Sequence, residues 1–283
     1  MVSKSFVFLA FMVGAGLVSG HGEAAGEDEN VDAYYEELHR AYREVLPEGG
    51  RSAFDLMFDD DVKGICNKKA LEFGSGFGEL ARYLAKAYEM DLTGLDGLPC
   101  RVKKATEKTP EKLRGRVRFE HMSSTSVWDF DQHTFDIVYS RCCLVHYKKK
   151  KDIFEECFRV MKPGGTLIIT DFLSYDPDAW GADVKTLIEN EDMKLYPDTV
   201  ATYTDRLKAC GFCNVQARDE SEHYVGYNNW ALASLAVYTM KCVEEGRKPG
   251  FDLKAHVASH QGVIRALEKN QLRVFRFIAC RPK

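Results

Sequence analysis

The hydrophobic positions of this chain change period repeatedly from Lys69 onward. Ala70 to Phe73 is a short apolar run; Leu80, Tyr83, Leu84 and Ala87 then recur at helical spacing with Glu79 in the first turn, which predicts a strand followed by a helix. Asp91 to Leu95 predicts a second strand, Cys100 to Lys108 a polar helix, Val117 to Glu120 a third strand and "FDIVYS" (Phe135 to Ser140) a fourth. "KKDIFEECFRVM" is amphipathic through Ile153, Phe154, Cys157, Phe158 and Met161, and "KPGG" (Lys162 to Gly165) is expected to stop that helix before the strand "TLIITD". The chain closes on "QLRVFRFIACRPK", which alternates as a strand. Such alternation specifies an α/β fold, a doubly wound and mostly parallel sheet covered by helices on both faces. Two stretches, 172–198 and 220–262, interrupt the pattern, and insertions at strand ends are where these sheets build lids and pockets.

Composition narrows the field. With 283 residues, 45% of them hydrophobic, and a formal charge of -4, the chain has no sustained basic stripe, which argues against nucleic acid as a partner. The run Lys148 to Lys151 opens a predicted helix and reads as a solvated face. At the N-terminus Lys4 precedes an apolar run from Phe6 to Val18, followed by Ser19 and Gly20, so residues 1–20 read as a signal peptide. That run is short for a bilayer, and no stable span is expected after its removal. Residues 21–30 are an acidic lead-in expected to be disordered, and 31–283 form the folded domain. The implied location is the secretory pathway, or the cytoplasm if the leader is not a signal. Nine cysteines leave at least one without a partner. Cys210 and Cys213 span a helix end with no second pair nearby, so no metal site is expected.

The candidate chemistry begins at "LEFGSGFGEL". Gly74, Gly76 and Gly78 are spaced G-x-G-x-G around Ser75, with Glu72 two residues ahead. A dinucleotide turn needs G-x-G-x-x-G, and a carboxylate at its entrance would repel a pyrophosphate while suiting an ammonium group. A ligand with an amino-acid end, a ribose and an adenine fits this charge pattern: S-adenosylmethionine. Asp96, ending "LTGLD", is placed to accept hydrogen bonds from ribose hydroxyls, although such an acid serves any adenosine ligand.

"LEFGSGFGELARYLA", "TGLD", "FDIVYSRCCLVHY", "VMKPGGTLIITDF" and "LKACGFCNV" together resemble, in order and spacing, the class I S-adenosylmethionine-dependent methyltransferases, and most of all the phosphoethanolamine N-methyltransferases, over about Val31 to Phe277. The resemblance implies a Rossmann-like sheet of seven strands with the last antiparallel, S-adenosylmethionine as cofactor and a small-molecule amine as acceptor. It carries the catalytic histidine onto His146 and its tyrosine partner, from an N-terminal lid helix at 31–45, onto Tyr34, with Tyr35 beside it. It carries the cofactor contacts onto Glu72, Gly74, Gly76 and Asp96 with Arg141 also matching, and sets Ser123 where the family has an aspartate at the adenine. Tyr42 and Phe172 fall in the substrate pocket.

Methyl transfer to an amine requires alignment, exclusion of water and a base near neutral pH, for which histidine is suited. The family's phosphate clamp is altered: Phe172 replaces a tyrosine, Leu187, Glu191 and Met193 replace a Tyr/Arg/Tyr set, and Val263 stands at a lysine position. Arg206, Lys254, His256, His260 and Arg265 are the candidates to substitute. The acceptor is therefore expected to be phosphoethanolamine-like or another zwitterionic amine. An O-methyltransferase, or a secreted, non-catalytic binding protein on the same scaffold, are the competing readings.

Overall fold

The computed structural model describes residues 37–38, 40–42, 50–58, 64–122, 125, 127–190 and 194–283. The expected signal peptide and lead-in, and Tyr34 and Tyr35, lie outside them. Of the expected N-terminal lid helix, residues 37–38 and 40–42 are described, and they are helical.

After these, helix α1 (Gly50–Met57) precedes β1 (Lys69–Phe73), α2 (Glu79–Tyr88), β2 (Asp91–Asp96), α3 (Pro99–Glu107), β3 (Val117–His121) and β4 (Phe135–Arg141). Then come α4 (Lys150–Val160), β5 (Met161–Leu173), α5 (Ala182–Asn190), α6 (Val200–Ala209), β6 (Cys213–Asp219), α7 (Ser221–Glu244), α8 (Leu253–Glu268) and β7 (Arg273–Cys280). The sheet has seven strands in the order β3-β2-β1-β4-β5-β7-β6. All pairings are parallel except those of β7, which runs antiparallel to both β5 and β6.

Burial on both faces follows from the apolar runs. Leu71, Phe73, Val138, Leu167 and Ile169 join the core beneath α4 and α6, while the alternate positions Ala70, Ile137, Tyr139 and Ile168 join the core beneath α1 and α2. Helix α2 turns Leu80, Ala81, Leu84 and Ala85 inward, and each buried leucine contributes about 1.5–3 kcal/mol. Fully buried Arg276 of β7 lies 3.0 Å from Glu220 and donates to the Leu56 carbonyl, which ties α1 to the far side of the sheet.

One expectation needs correction. "KPGG" does not separate helix from strand: β5 already begins at Met161 and absorbs it. The ladder with β4 jumps from Phe135↔Met161 to Ile137↔Thr166, so the extra residues bulge out, with Gly164 at φ 77°. The inserted stretches take shape as α5 and as the pair α7 and α8, whose side chains form a third cluster with Leu38, Tyr42 and Phe172. Among the described residues no helix is long and apolar enough to cross a membrane.

Candidate active site

Sheet order reverses between β1 and β4, and their carboxyl ends open the crevice where ligands bind in such sheets. The turn after β1 is tied to β2 by the Gly74 and Ser75 amides, which donate to the Leu95 carbonyl at 2.8 and 2.9 Å. Gly78, at φ 77°, is the left-handed residue that opens α2. A side chain there would be strained by its backbone, and its Cβ would stand 2.2 Å from the Phe119 ring. The Gly76 amide donates to Asp96 Oδ2 at 2.9 Å and the Leu98 amide to Oδ1 at 3.0 Å. These bonds fix the buried carboxylate at the end of β2 and leave each oxygen able to accept another donor. Ser75 Oγ is buried in the turn with no hydrogen-bond partner.

Glu72 lies in β1 two residues before the turn, paired across the β1–β4 ladder with Tyr139, whose hydroxyl donates to its Oε2 at 3.3 Å. Burial pushes its carboxyl up to about 8, the Tyr139 bond opposing that rise only in part. At neutral pH the group is mostly protonated until a cation reaches it. Arg141 lies near enough to act electrostatically on Glu72, but its guanidinium is stacked 4.9 Å over the Phe54 ring.

The carboxyl end of β4 is a sharp departure from the sheet. Cys142 takes a left-handed φ of 48°, and Leu144–His146 follow as one 3-10 turn. That strained residue swings His146 out of strand register. Its Nδ1 donates to the Lys194 carbonyl at 3.1 Å, because a carbonyl only accepts; Nε2 then carries the lone pair and is buried with no hydrogen-bond partner. Burial lowers the imidazole to about 4.

A second polar group lies under the inserted helices. The Tyr42 hydroxyl is 3.2 Å from both His256 Nδ1 and His260 Nε2, and His260 Nδ1 is 2.8 Å from Asn228 Oδ1. Asn228 in turn donates to the Tyr224 carbonyl, and the Tyr224 hydroxyl reaches Cys142 Sγ at 3.6 Å, so this network ends at β4. Phe172, Leu187 and Val263 are buried in the same cluster as Tyr42. Of the proposed substitutes for the clamp, His256 and His260 are here; Arg206 pairs with Asp198, Arg265 with Asp183, and Lys254 is exposed. Ser123, Glu191 and Met193 lie outside the described residues. Cys210 and Cys213 are free thiols at the α6–β6 junction.

The structure adds residues that the motifs did not single out: Gly94 beneath the turn, Arg101 beside Asp96, and the Lys194 carbonyl on His146. Gly94 carried a signal, since a glycine inside a strand marks close backbone approach.

A family model described as a methyltransferase domain matches residues 71–169. The phosphoethanolamine N-methyltransferase of Plasmodium falciparum is 31% identical over 199 residues, covering 70% of this chain and 71% of that protein. A Triticum aestivum phosphoethanolamine N-methyltransferase is 28% identical over 168 residues, and there the match spans only 33% of the relative's length. Among solved structures, a Haemonchus contortus phosphoethanolamine N-methyltransferase bound to phosphomonomethylethanolamine and S-adenosylhomocysteine aligns at TM-score 0.77 and 16% identity, over 100% of this chain and 61% of that one. A putative sarcosine dimethylglycine methyltransferase from Galdieria sulphuraria aligns at 0.70 and 16%, over 90% and 98%.

Proposed function

This chain belongs to the phosphoethanolamine N-methyltransferase family of S-adenosylmethionine-dependent methyltransferases, and we propose that it methylates the nitrogen of a small zwitterionic amine with His146 as the base. The observation that carries the reading is the imidazole at the end of β4, held by the Lys194 carbonyl in the tautomer whose buried Nε2 has a free lone pair. Bound S-adenosylmethionine supplies a methyl group activated by its sulfonium. The residues present fit that cofactor: a glycine cradle that a Cβ would fill, a neutral buried acid for an ammonium, and a fixed carboxylate for ribose hydroxyls.

In this reading Gly74, Ser75, Gly76 and Gly78 shape the turn, Glu72 receives the amino-acid end, Asp96 the ribose, and Arg141 supports Glu72 from behind. Tyr34 is proposed to close over His146, and Ser123 to reach the adenine. Because Glu72 is protonated at rest, its ionisation on meeting the ammonium releases a proton. Cofactor binding to wild type at pH 7 is therefore expected to release roughly one proton more than binding to Glu72→Gln. Calorimetry in buffers of different ionisation enthalpy measures that difference, and equal proton counts would remove Glu72 from the ammonium site.

Tyr42 and Phe172 are proposed to line the acceptor pocket. Burial lowers His256 to about 3 and holds His260 well below its ordinary value. The pocket thus combines neutral donors and acceptors at Tyr42, His256 and His260 with apolar residues at the former clamp positions Phe172, Leu187 and Val263, which supports a zwitterionic amine such as an amino acid or betaine precursor over a phosphate dianion. Methyl transfer from labelled S-adenosylmethionine, offered phosphoethanolamine, ethanolamine, glycine and sarcosine in parallel, tests this. Turnover confined to non-phosphorylated amines is expected; preferred turnover of phosphoethanolamine would overturn the altered acceptor.

A further inference from the structure

Arg101 is a buried cation with too few acceptors. It lies in the first turn of α3, its side chain 3% exposed, and Nη1 stands 3.9 Å from Asp96 Oδ2, beyond hydrogen-bond reach. Nη1 and Nη2 are both buried with no hydrogen-bond partner. Guanidinium presents five N–H donors and cannot shed its charge. Burying it with donors unsatisfied is costly even beside one carboxylate, so a fold retains it where something else supplies the acceptors.

Its surroundings identify that something. The guanidinium carbon is 6.0 Å from the ring centroid of Phe77, inside the glycine turn. Its charge is felt at Asp96, Cys143, His146 and Tyr147, so it stands between the ends of β2 and β4. A polyphosphate is disfavoured there by the Asp96 carboxylate. A nucleoside, with hydroxyl oxygens and ring nitrogens as neutral acceptors, meets both the acid and the donors.

We propose that Arg101 is a further cofactor-binding residue, whose guanidinium stands beside the Asp96 carboxylate and donates to the nucleoside half of S-adenosylmethionine. The proposal rests on the reading that the glycine turn and Asp96 hold that cofactor. Through Asp96 the effect is cooperative: burial raises the Asp96 carboxyl, the neighbouring guanidinium opposes that rise, and both groups meet the same ligand.

The test is calorimetric affinity for S-adenosylhomocysteine, which needs no acceptor and no turnover. Arg101→Met is expected to weaken binding about 30-fold and Arg101→Lys, which restores the charge but not the fork, about fivefold. In an Asp96→Asn background the Met substitution should add less than about threefold, since the two groups act together. Wild-type affinity in Arg101→Met, or penalties from the two sites that simply multiply, would overturn the proposal. Should Arg101→Met fail to fold, Arg101→Lys decides at unchanged Tm: reduced affinity supports the role and unchanged affinity removes it. Wild-type affinity in Asp96→Asn is a different result, which overturns the placement of the cofactor itself.

Discussion

Replacing His146 with alanine is expected to lower methyl-transfer turnover by roughly 10²- to 10⁴-fold, the usual worth of a positioned general base, while S-adenosylhomocysteine affinity stays within about twofold. The two readouts separate because His146 sits at the end of β4, whereas the turn and Asp96 are built from β1 and β2. Asparagine is the sharper substitution. Its amide can still donate to the Lys194 carbonyl but offers no basic nitrogen, so it preserves the anchor and removes the lone pair. Equal losses in both variants assign the effect to Nε2; an active asparagine variant would show that the anchor is what matters. The acid side of the pH profile is a second check. Burial is the main cause holding the imidazole near 4, with Arg101 and Lys150 adding cationic repulsion against the Lys194 bond. A depressed value means that the neutral, base-competent form persists as pH falls through 6.5. After correction for the acceptor's own ammonium titration, kcat/KM should therefore decline only as pH approaches about 4. A midpoint near 6.5 would mean that burial does not depress the ring in the working enzyme, and the base role would then rest on the two substitutions alone.

What could be read from sequence depended on how local each feature is. The β1 turn and Asp96 are held by neighbours in sequence or by the adjacent strand, and alternation with glycine punctuation points to them, whereas His146 follows from the family resemblance and its ring is anchored 48 positions away by the Lys194 carbonyl. Helix α1 was missed because its eight residues lack a recognisable start, with a glycine at its first position and no acid in its first turn. "KPGG" has the local chemistry of a stop between helix and strand, whereas its actual place within β5 depends on a bulged ladder with β4. The network under the inserted helices is not legible in sequence: Tyr42 meets His256 and His260 across 214 and 218 positions, and no periodicity encodes that meeting. Arg101 falls in a polar helix and looks like a solvated charge until α3 packs it against Asp96.

Gly94→Ala is expected to destabilise the fold by about 1–3 kcal/mol, as overpacking of a close-packed site does, and to weaken S-adenosylhomocysteine binding by at least about tenfold. Gly94 lies in mid-β2, paired with Glu72 on one side and Phe119 on the other. An ideal Cβ there would come 2.5 Å from the Phe119 ring and 2.7 Å from the Ser75 Cβ. The half-buried Phe119 ring has room to swing aside. Ser75 does not, because its own amide and that of Gly74 bind the Leu95 carbonyl, one residue from the substitution. The methyl group must therefore lift the turn from β2, and the Gly76 amide leaves Asp96 Oδ2 with it. Binding should consequently fall further than stability alone requires, since the displaced atoms are those proposed to face the cofactor. Gly226→Ala supplies the contrast: it is mid-helix in α7, with nothing within 4 Å of an added Cβ. It should leave affinity unchanged and hold or raise Tm, as alanine favours helix over glycine. Thermal melts and calorimetry on both variants decide the matter. Wild-type affinity in Gly94→Ala would mean that the turn does not rest on β2 when the cofactor binds, and the bare backbone at Gly94 would then serve packing alone.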